Sequence, residues 1–129
     1  MARPPSTHPT DGELELLQIL WQAGPCSLGQ ICTALRRRRP IATTTVATIL
    51  KTMLGKKLVV RTKTPQGYLW SAKTTRQDAA SGLVRKLVDL VFDGSAQRLV
   101  AHLLESDQLS EQEREELRRL IGTGPKPEK

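Results

Sequence analysis

The chain has 129 residues, 38% of them hydrophobic and 26% charged, a balance typical of one folded domain or of a small domain with an appendage. No apolar run approaches the roughly 18 to 20 residues that cross a bilayer, and the start lacks the apolar segment of a signal peptide, so we expect a cytoplasmic protein. Residues 1–74 hold 11 Lys and Arg against 3 Asp and Glu, whereas residues 75–129 hold 9 against 10, which concentrates the positive charge in one half.

The first half of the chain predicts three helices after a Pro-rich arm, residues 1–9, which we expect to be disordered. Capping boxes begin the first two helices, T-x-x-E at Thr10 and S-x-x-Q at Ser27. The first ends at Gly24-Pro25, and the second ends in the arginines Arg36 to Arg39. A third helix starts near Thr43 and carries an apolar stripe at helical spacing. The stripe consists of Val46, Ile49, Leu50, Met53 and Leu54.

A β-hairpin is predicted directly after the third helix. The stretch from Leu58 to Lys63 is β-branched and basic, Pro65-Gln66-Gly67 is a turn, and Tyr68-Leu69-Trp70 returns. Three helices followed by a hairpin is the order of a winged helix-turn-helix. We therefore expect a mostly α fold with a small β-hairpin, in which residues 10–73 form a winged-helix domain that binds duplex DNA.

The next part, residues 74–121, predicts helices with strongly apolar sides. Thr75 with Asp78 opens the first of them, Asp93-Gly94-Ser95 breaks it, and Ser110 caps the last. These helices either fold back on the DNA-binding half or pair with a second copy. Because a two-fold dimer reads two half-sites, we expect a helical dimerisation domain, followed by a disordered tail at residues 122–129. The expected dimerisation residues are Leu83, Leu87, Leu90, Val91, Leu99, Leu103, Leu117 and Leu120.

The outer face of the third helix offers short hydroxyl and methyl groups that can approach base edges closely, and its N-terminus favours a phosphate. For Thr43 itself we expect helix capping only. Cations of the arginine run and of the wing are expected to contact phosphates, which adds affinity and salt dependence more than sequence choice. The candidate DNA-binding residues are Thr44, Thr45, Ala47, Thr48, Lys51, Thr52, Arg39, Lys56, Arg61, Lys63 and Gln66.

The chain offers little for catalysis or metal binding. Cys26 and Cys32 are too few and wrongly spaced for a zinc ribbon or a disulfide framework, and Cys32 is expected to be a small buried side chain. His8 lies in the arm and His102 on a leucine-rich helix, and neither a glycine-rich phosphate loop nor an H-E-x-x-H motif is present. We expect no enzymatic activity, no metal and no cofactor.

These residues resemble the penicillinase-repressor (BlaI/MecI/CopY) family of bacterial winged-helix repressors, over about residues 10–121. The most specific likeness is T-T-V-x-T-x-L from Thr44 to Leu50, followed by the lysine pair and apolar residues of 56–59. Tyr68-x-Trp70-Ser71 matches the returning wing strand. Further matches are Trp21 near the end of the first helix and the pattern of Leu109-Ser110 with Glu115-Glu116-Leu117.

The resemblance also shows two departures in the predicted reading head. Ala47 stands where relatives often have a longer polar residue, which suggests a different or looser operator. Lys57 replaces the usual glycine after the third helix. A lysine there is expected to adopt a left-handed backbone conformation, at a cost of about 1 kcal/mol.

The resemblance implies a dimeric repressor that binds a palindromic operator, with the C-terminal helices forming the dimer. In members partnered by a membrane-bound sensor metalloprotease, cleavage in the C-terminal region relieves repression. The comparable bond here is His102-Leu103, where characterised members have Asn-Phe. The copper-responsive branch carries a cysteine cluster near its C-terminus, whereas this chain has no cysteine after Cys32, so copper sensing is not expected.

Two other interpretations stay open from the sequence. One is a DNA-binding regulator controlled by a small molecule or another signal without cleavage, and purified protein that loses operator affinity with a ligand while staying uncleaved would indicate it. The other is a winged helix that mainly binds protein. Absence of salt-sensitive duplex binding would favour that interpretation.

Overall fold

The computed structural model describes residues 8–123, which form six helices and one antiparallel hairpin, so the predicted fold class is confirmed. The expected arm and tail lie mostly outside the described residues, although the last helix continues to Thr123. No described helix is long and apolar enough to cross a membrane. The elements are α1 (Asp11–Ala23), α2 (Leu28–Arg36), α3 (Thr43–Gly55), β1 (Val59–Thr64), β2 (Gly67–Ala72), α4 (Arg76–Val91), α5 (Ala96–Glu105) and α6 (Glu111–Thr123).

Local side-chain hydrogen bonds begin most of these helices where the sequence predicts them. In α1 the Thr10 hydroxyl accepts from the Glu13 amide at 3.2 Å, and the Glu13 carboxylate accepts from the Thr10 amide at 2.9 Å. Ser27 with Gln30 and Ser110 with Glu113 form the same reciprocal pair. Each box satisfies two amides that a helix start would otherwise leave unpaired.

The start of α3 differs from the prediction for Thr43. Ala42 is the N-cap residue and makes no side-chain hydrogen bond. The Thr43 hydroxyl instead accepts from the guanidinium of Arg36 at 2.7 Å, while the Nε of Arg36 donates to the Ile41 carbonyl at 3.0 Å. The capping role expected for Thr43 was therefore wrong, because its oxygen is used to fasten the turn between α2 and α3.

The apolar stripe of α3 supplies the centre of the core. Val46, Leu50 and Met53 are fully buried, whereas Ile49 and Leu54 are partly buried at its edge. They pack with the buried leucines and isoleucines of α1 and α2. Cys32 is 1% exposed, as predicted for a small core side chain. This packing fixes which face of α3 remains outside.

The hairpin is held to the helices at its base. Its register places Arg61 opposite Trp70 and Lys63 opposite Tyr68. Beyond the hairpin, the Cys26 amide donates to the Trp70 carbonyl at 3.0 Å, and the Trp70 amide donates to the Cys26 carbonyl at 2.8 Å. The loop between α1 and α2 therefore pairs with β2, a contact that the sequence did not predict.

The chain divides into two compact units, Met1–Leu83 and Val84–Lys129, with the boundary inside α4. In the second unit Val88 is buried, but several large apolar side chains are not. Within α6, Arg114 donates to the carbonyls of Leu104 and Ser106 at 2.8 and 2.9 Å, which ties this helix to the end of α5. The exposed apolar side chains of the second unit are Val84, Leu87, Leu90, Val91, Leu120 and Ile121.

Candidate nucleic-acid interface

The outer face of α3 carries every candidate base-reading side chain in an exposed position. Because the stripe from Val46 to Met53 is turned into the core, the intervening residues face outward. They are small, so the backbone of α3 itself can come close to a ligand surface. The exposed residues of this face are Thr44, Thr45, Ala47, Thr48, Lys51 and Thr52.

One hydroxyl on this face is already engaged. The Thr48 hydroxyl donates to the Thr44 carbonyl, one turn earlier in α3, at 2.9 Å. This back-bond is common for a threonine within a helix and uses the only proton that the hydroxyl can donate. The methyl of Thr48 is the group that the side chain can offer outward while that bond is intact.

A cleft of about 390 Å³ separates α3 from the wing. Ala47 and Lys51 line its α3 side, and Arg61 and Trp70 line its wing side. The apolar floor comes from Leu28, Leu50 and Leu54. Two cations therefore stand on opposite sides of one groove, where a single anionic backbone can meet both.

Arg61 is held on the wing by aromatic rings. Its guanidinium carbon lies 4.3 Å from the centre of the Tyr68 ring and 5.7 Å from that of Trp70. A cation over an aromatic face is attracted by the ring quadrupole and keeps its hydrogen-bond donors free. No carboxylate among residues 8–123 pairs with Arg61. The stack therefore positions Arg61 without neutralising it.

The ring platform formed by Tyr68 and Trp70 was missed as a functional feature of the sequence. A signal for it exists, since a hairpin with the two-residue turn Pro65-Gln66 fixes the register of both strands. That register puts basic and aromatic residues opposite each other, at Arg61 with Trp70 and at Lys63 with Tyr68. The alternation of cations and rings could thus have been predicted.

Two of the predicted phosphate-binding cations are paired with carboxylates of α1. The Nζ of Lys56 lies 2.8 Å from the Glu13 carboxylate, with the Lys56 side chain only 12% exposed. The guanidinium of Arg39 lies 2.8 Å from the Glu15 carboxylate, and its hydrogen bond lowers the pKa of Glu15 below the ordinary value. Lys56 points into the protein, so we leave it out of the contact set proposed below, whereas Arg39 keeps 46% exposure.

The remaining cations of this surface stay unpaired. Lys51, Lys57 and Lys63 are exposed, and within residues 8–123 no carboxylate forms an ion pair with any of them. Gln66 lies at the exposed tip of the wing. Since Glu13 and Glu15 are both engaged, the positive charge of the α3 and wing surface is not cancelled by nearby acids.

The cysteines and histidines add no second site to this surface. Burial raises the pKa of the Cys26 thiol, whose Sγ contacts the Gly24 carbonyl oxygen at 3.3 Å. A raised pKa disfavours the thiolate that redox and metal chemistry need. In the part of the chain that the structure describes, no three His, Cys, Asp or Glu residues are grouped to hold a metal ion.

Comparison with known proteins gives one family and two curated relatives. The family model described as penicillinase repressor matches residues 9–123. The methicillin resistance regulatory protein MecI of Mammaliicoccus sciuri is 22% identical over 112 residues, which cover 87% of this chain and 91% of that protein. The penicillinase repressor of Bacillus licheniformis is 20% identical over 112 residues, covering 87% and 88%. A solved structure of a ZitR variant from Lactococcus lactis covers 95% of this chain and 77% of its own, with a TM-score of 0.46 and 15% identity, and carries no argument here.

Proposed function

The chain belongs to the penicillinase repressor family, and on that premise we propose that it represses transcription by binding a palindromic operator as a homodimer. The family resemblance predicted from the sequence is thereby confirmed. The observation that carries the proposal is the surface formed by α3 and the wing. It joins an exposed helix face of small side chains to cations that no carboxylate among the described residues neutralises.

In the proposed complex α3 lies in the major groove, which is wide enough to admit one helix. The exposed hydroxyls of Thr44 and Thr45 stand in the first turn of α3, where unpaired amides favour a phosphate oxygen. Arg61 and Lys63 extend along the wing and contact the backbone beside the groove. Arg39 and Lys51 add further phosphate contacts, so affinity depends strongly on salt.

A second copy of the chain is the proposed partner of the second unit. Leu90 is 71% exposed, Val91 63%, Leu120 67% and Ile121 57%. Large apolar side chains that remain this accessible are a cost in water unless another surface covers them. Pairing of two copies would cover them and set two winged helices on two half-sites.

Relief of repression by a membrane-bound sensor metalloprotease is the finer part of the proposal. The bond in question joins His102, which is exposed, to Leu103, which is partly buried, and both lie inside α5. The His102 ring is 5.6 Å from that of Phe92. A protease needs an extended substrate, so cleavage here requires local opening of α5.

Binding of the full chain to DNA tests the proposal. Duplexes selected from a randomised pool should share a palindromic motif, and their affinity should fall by about 10³-fold or more between about 50 and 200 mM salt. Thr48→Ala should reduce the preference for the selected motif over random DNA, whereas Lys63→Ala should weaken both. Equal effects of both variants on both DNAs would contradict the roles assigned, and duplex binding without salt dependence would favour a protein-binding winged helix.

A further inference from the structure

We infer that α3 recognises thymine through methyl–methyl contact, with Thr48 and Ala47 as the specificity-determining residues of each half-site. This inference rests on the proposed function and names the feature of the operator that the protein reads. The ligand is a duplex with thymines in the major groove of each half-site, whose 5-methyl groups are needed for tight binding.

The chemistry of the exposed α3 face is the first argument. It holds four threonines, one alanine and one lysine. Arg, Asn and Gln, which form paired hydrogen bonds with guanine or adenine, and Glu or Asp, which accept from cytosine, are all missing from these six positions. Only Lys51 can donate to guanine acceptors. What the face supplies in quantity is methyl groups, and thymine is the one base that presents a methyl in the major groove.

The state of the Thr48 hydroxyl is the second argument. Its proton is used in the 2.9 Å bond to the Thr44 carbonyl. A base acceptor would have to break that bond to receive it, whereas a thymine methyl can approach the Thr48 methyl without disturbing the helix. Reading at this position is therefore apolar.

Ala47 supplies the third argument, because it removes a steric barrier. It is exposed and lines the cleft between α3 and the wing, beside Lys51. A side chain without atoms beyond Cβ lets a base edge come into van der Waals contact with the helix surface. Lys51 and Arg61, on the two sides of that cleft, can fix the adjacent backbone while Ala47 and Thr48 touch the methyls.

Uracil replacement provides the first test, because deoxyuridine differs from thymidine only by the 5-methyl group. Duplexes are selected with the full chain from a randomised pool, and the enriched motif is resynthesised with deoxyuridine at the half-site thymines. Loss of one buried methyl should weaken binding roughly four-fold, and the symmetric loss in two half-sites roughly 15-fold. Deoxyuridine placed outside the half-sites should leave the affinity unchanged.

A matched pair of substitutions at residue 48 assigns the effect to the protein. Thr48→Val keeps the methyl and removes the hydroxyl, whereas Thr48→Ser keeps the hydroxyl and removes the methyl. The valine variant should keep the thymine-over-uracil preference, and the serine variant should lose it while retaining its affinity for random DNA. Thermal midpoints of the two variants report whether both are folded.

The outcomes separate this inference from the proposed function. Equal affinity for the thymine and uracil duplexes, or a preference kept by Thr48→Ser and lost by Thr48→Val, would overturn the methyl contact while leaving operator binding in place. If no motif is enriched and the chain shows no salt-sensitive duplex binding, the proposed function fails and this inference with it.

Discussion

The ammonium nitrogen of Lys56 lies 2.8 Å from a carboxylate oxygen of Glu13, and their side chains are 12% and 5% exposed. This pair joins the end of α3 to the first turn of α1, where Glu13 also closes the capping box. A buried ion pair whose one member is removed leaves a charge without compensation. The contact therefore matters for folding rather than for DNA.

Lys56→Met should lower the free energy of unfolding by about 3 kcal/mol, because the Glu13 carboxylate stays buried without its cation. The double variant Glu13→Gln with Lys56→Met should recover part of that loss. Urea denaturation measures all of these values. The control is Lys63→Met on the exposed wing, which should change stability by no more than about 0.5 kcal/mol. A similar loss in both single variants would contradict the structural role of Lys56.

The Arg61 stack on the wing should be visible in the salt dependence of DNA binding. Arg61→Gln removes one phosphate contact, so the slope of log affinity against log salt should become shallower by about 0.9 per half-site. Tyr68→Phe keeps the ring and should behave like the native chain, whereas Tyr68→Leu should resemble Arg61→Gln. Fluorescence anisotropy titrations measure the slopes. A phenylalanine variant as weak as the leucine variant would show that the ring face is not what holds Arg61.

Lys57 has a positive φ of 65° directly after α3, as the sequence predicted from the glycine that the family usually has there. Lys57→Gly should raise the free energy of unfolding by about 1 kcal/mol, since glycine adopts this conformation without a Cβ clash. The thermal midpoint should rise by roughly 4 to 8 °C. Gly67, at a φ of 122°, is the opposite case, and Gly67→Ala should lower the midpoint. An unchanged midpoint in Lys57→Gly would mean that the strain is relieved elsewhere.

Leu90 is 71% exposed within one chain and is expected to be covered by a second copy. Leu90→Asp should shift the dimer towards monomer in sedimentation experiments and weaken operator binding, because a charge would be buried in the apolar contact. Asp89→Asn, at the neighbouring exposed position, should leave the assembly unchanged. Monomeric native protein at micromolar concentration would contradict dimerisation through this unit.

Glu15 gives a pH dependence of definite sign. Its pKa is lowered from 4.5, first by the hydrogen bond from Arg39, so the native state favours the charged carboxylate. The stability from this pair is fully present above pH 4.5 and declines as the pH falls through the lower native pKa. The difference in unfolding free energy between native chain and Glu15→Gln should therefore shrink below pH 4.5, and chemical denaturation at several pH values measures it. A difference that grows on acidification would contradict the ion pair.

Features that depend on neighbours in the chain could be predicted from the sequence. The capping boxes at Thr10 and Ser27, the apolar stripe of α3 and the wing turn at Pro65-Gln66 all follow from residues a few positions apart. The left-handed Lys57 also follows from its place after a helix.

Features that depend on distant partners could not. Lys56 was predicted to bind phosphate because it stands among other cations, yet its partner Glu13 is 43 residues away. Thr43 was expected to cap α3, but Arg36 takes its oxygen across the turn. In α4, periodicity alone does not tell that Val88 is buried and Leu90 is not, since both are apolar. Each of these outcomes is decided by tertiary packing, which overrides local preference.

The paired backbone bonds between Cys26 and Trp70 separate what can vary in the wing from what cannot. They use main-chain atoms, so they survive substitutions of either side chain and keep the base of the wing in place. The tip, from Thr64 to Gly67, makes no such connection to the helices. Mutations can therefore accumulate at the tip and retune affinity for the flanks of an operator, while the geometry of α3 and the fold are inherited unchanged.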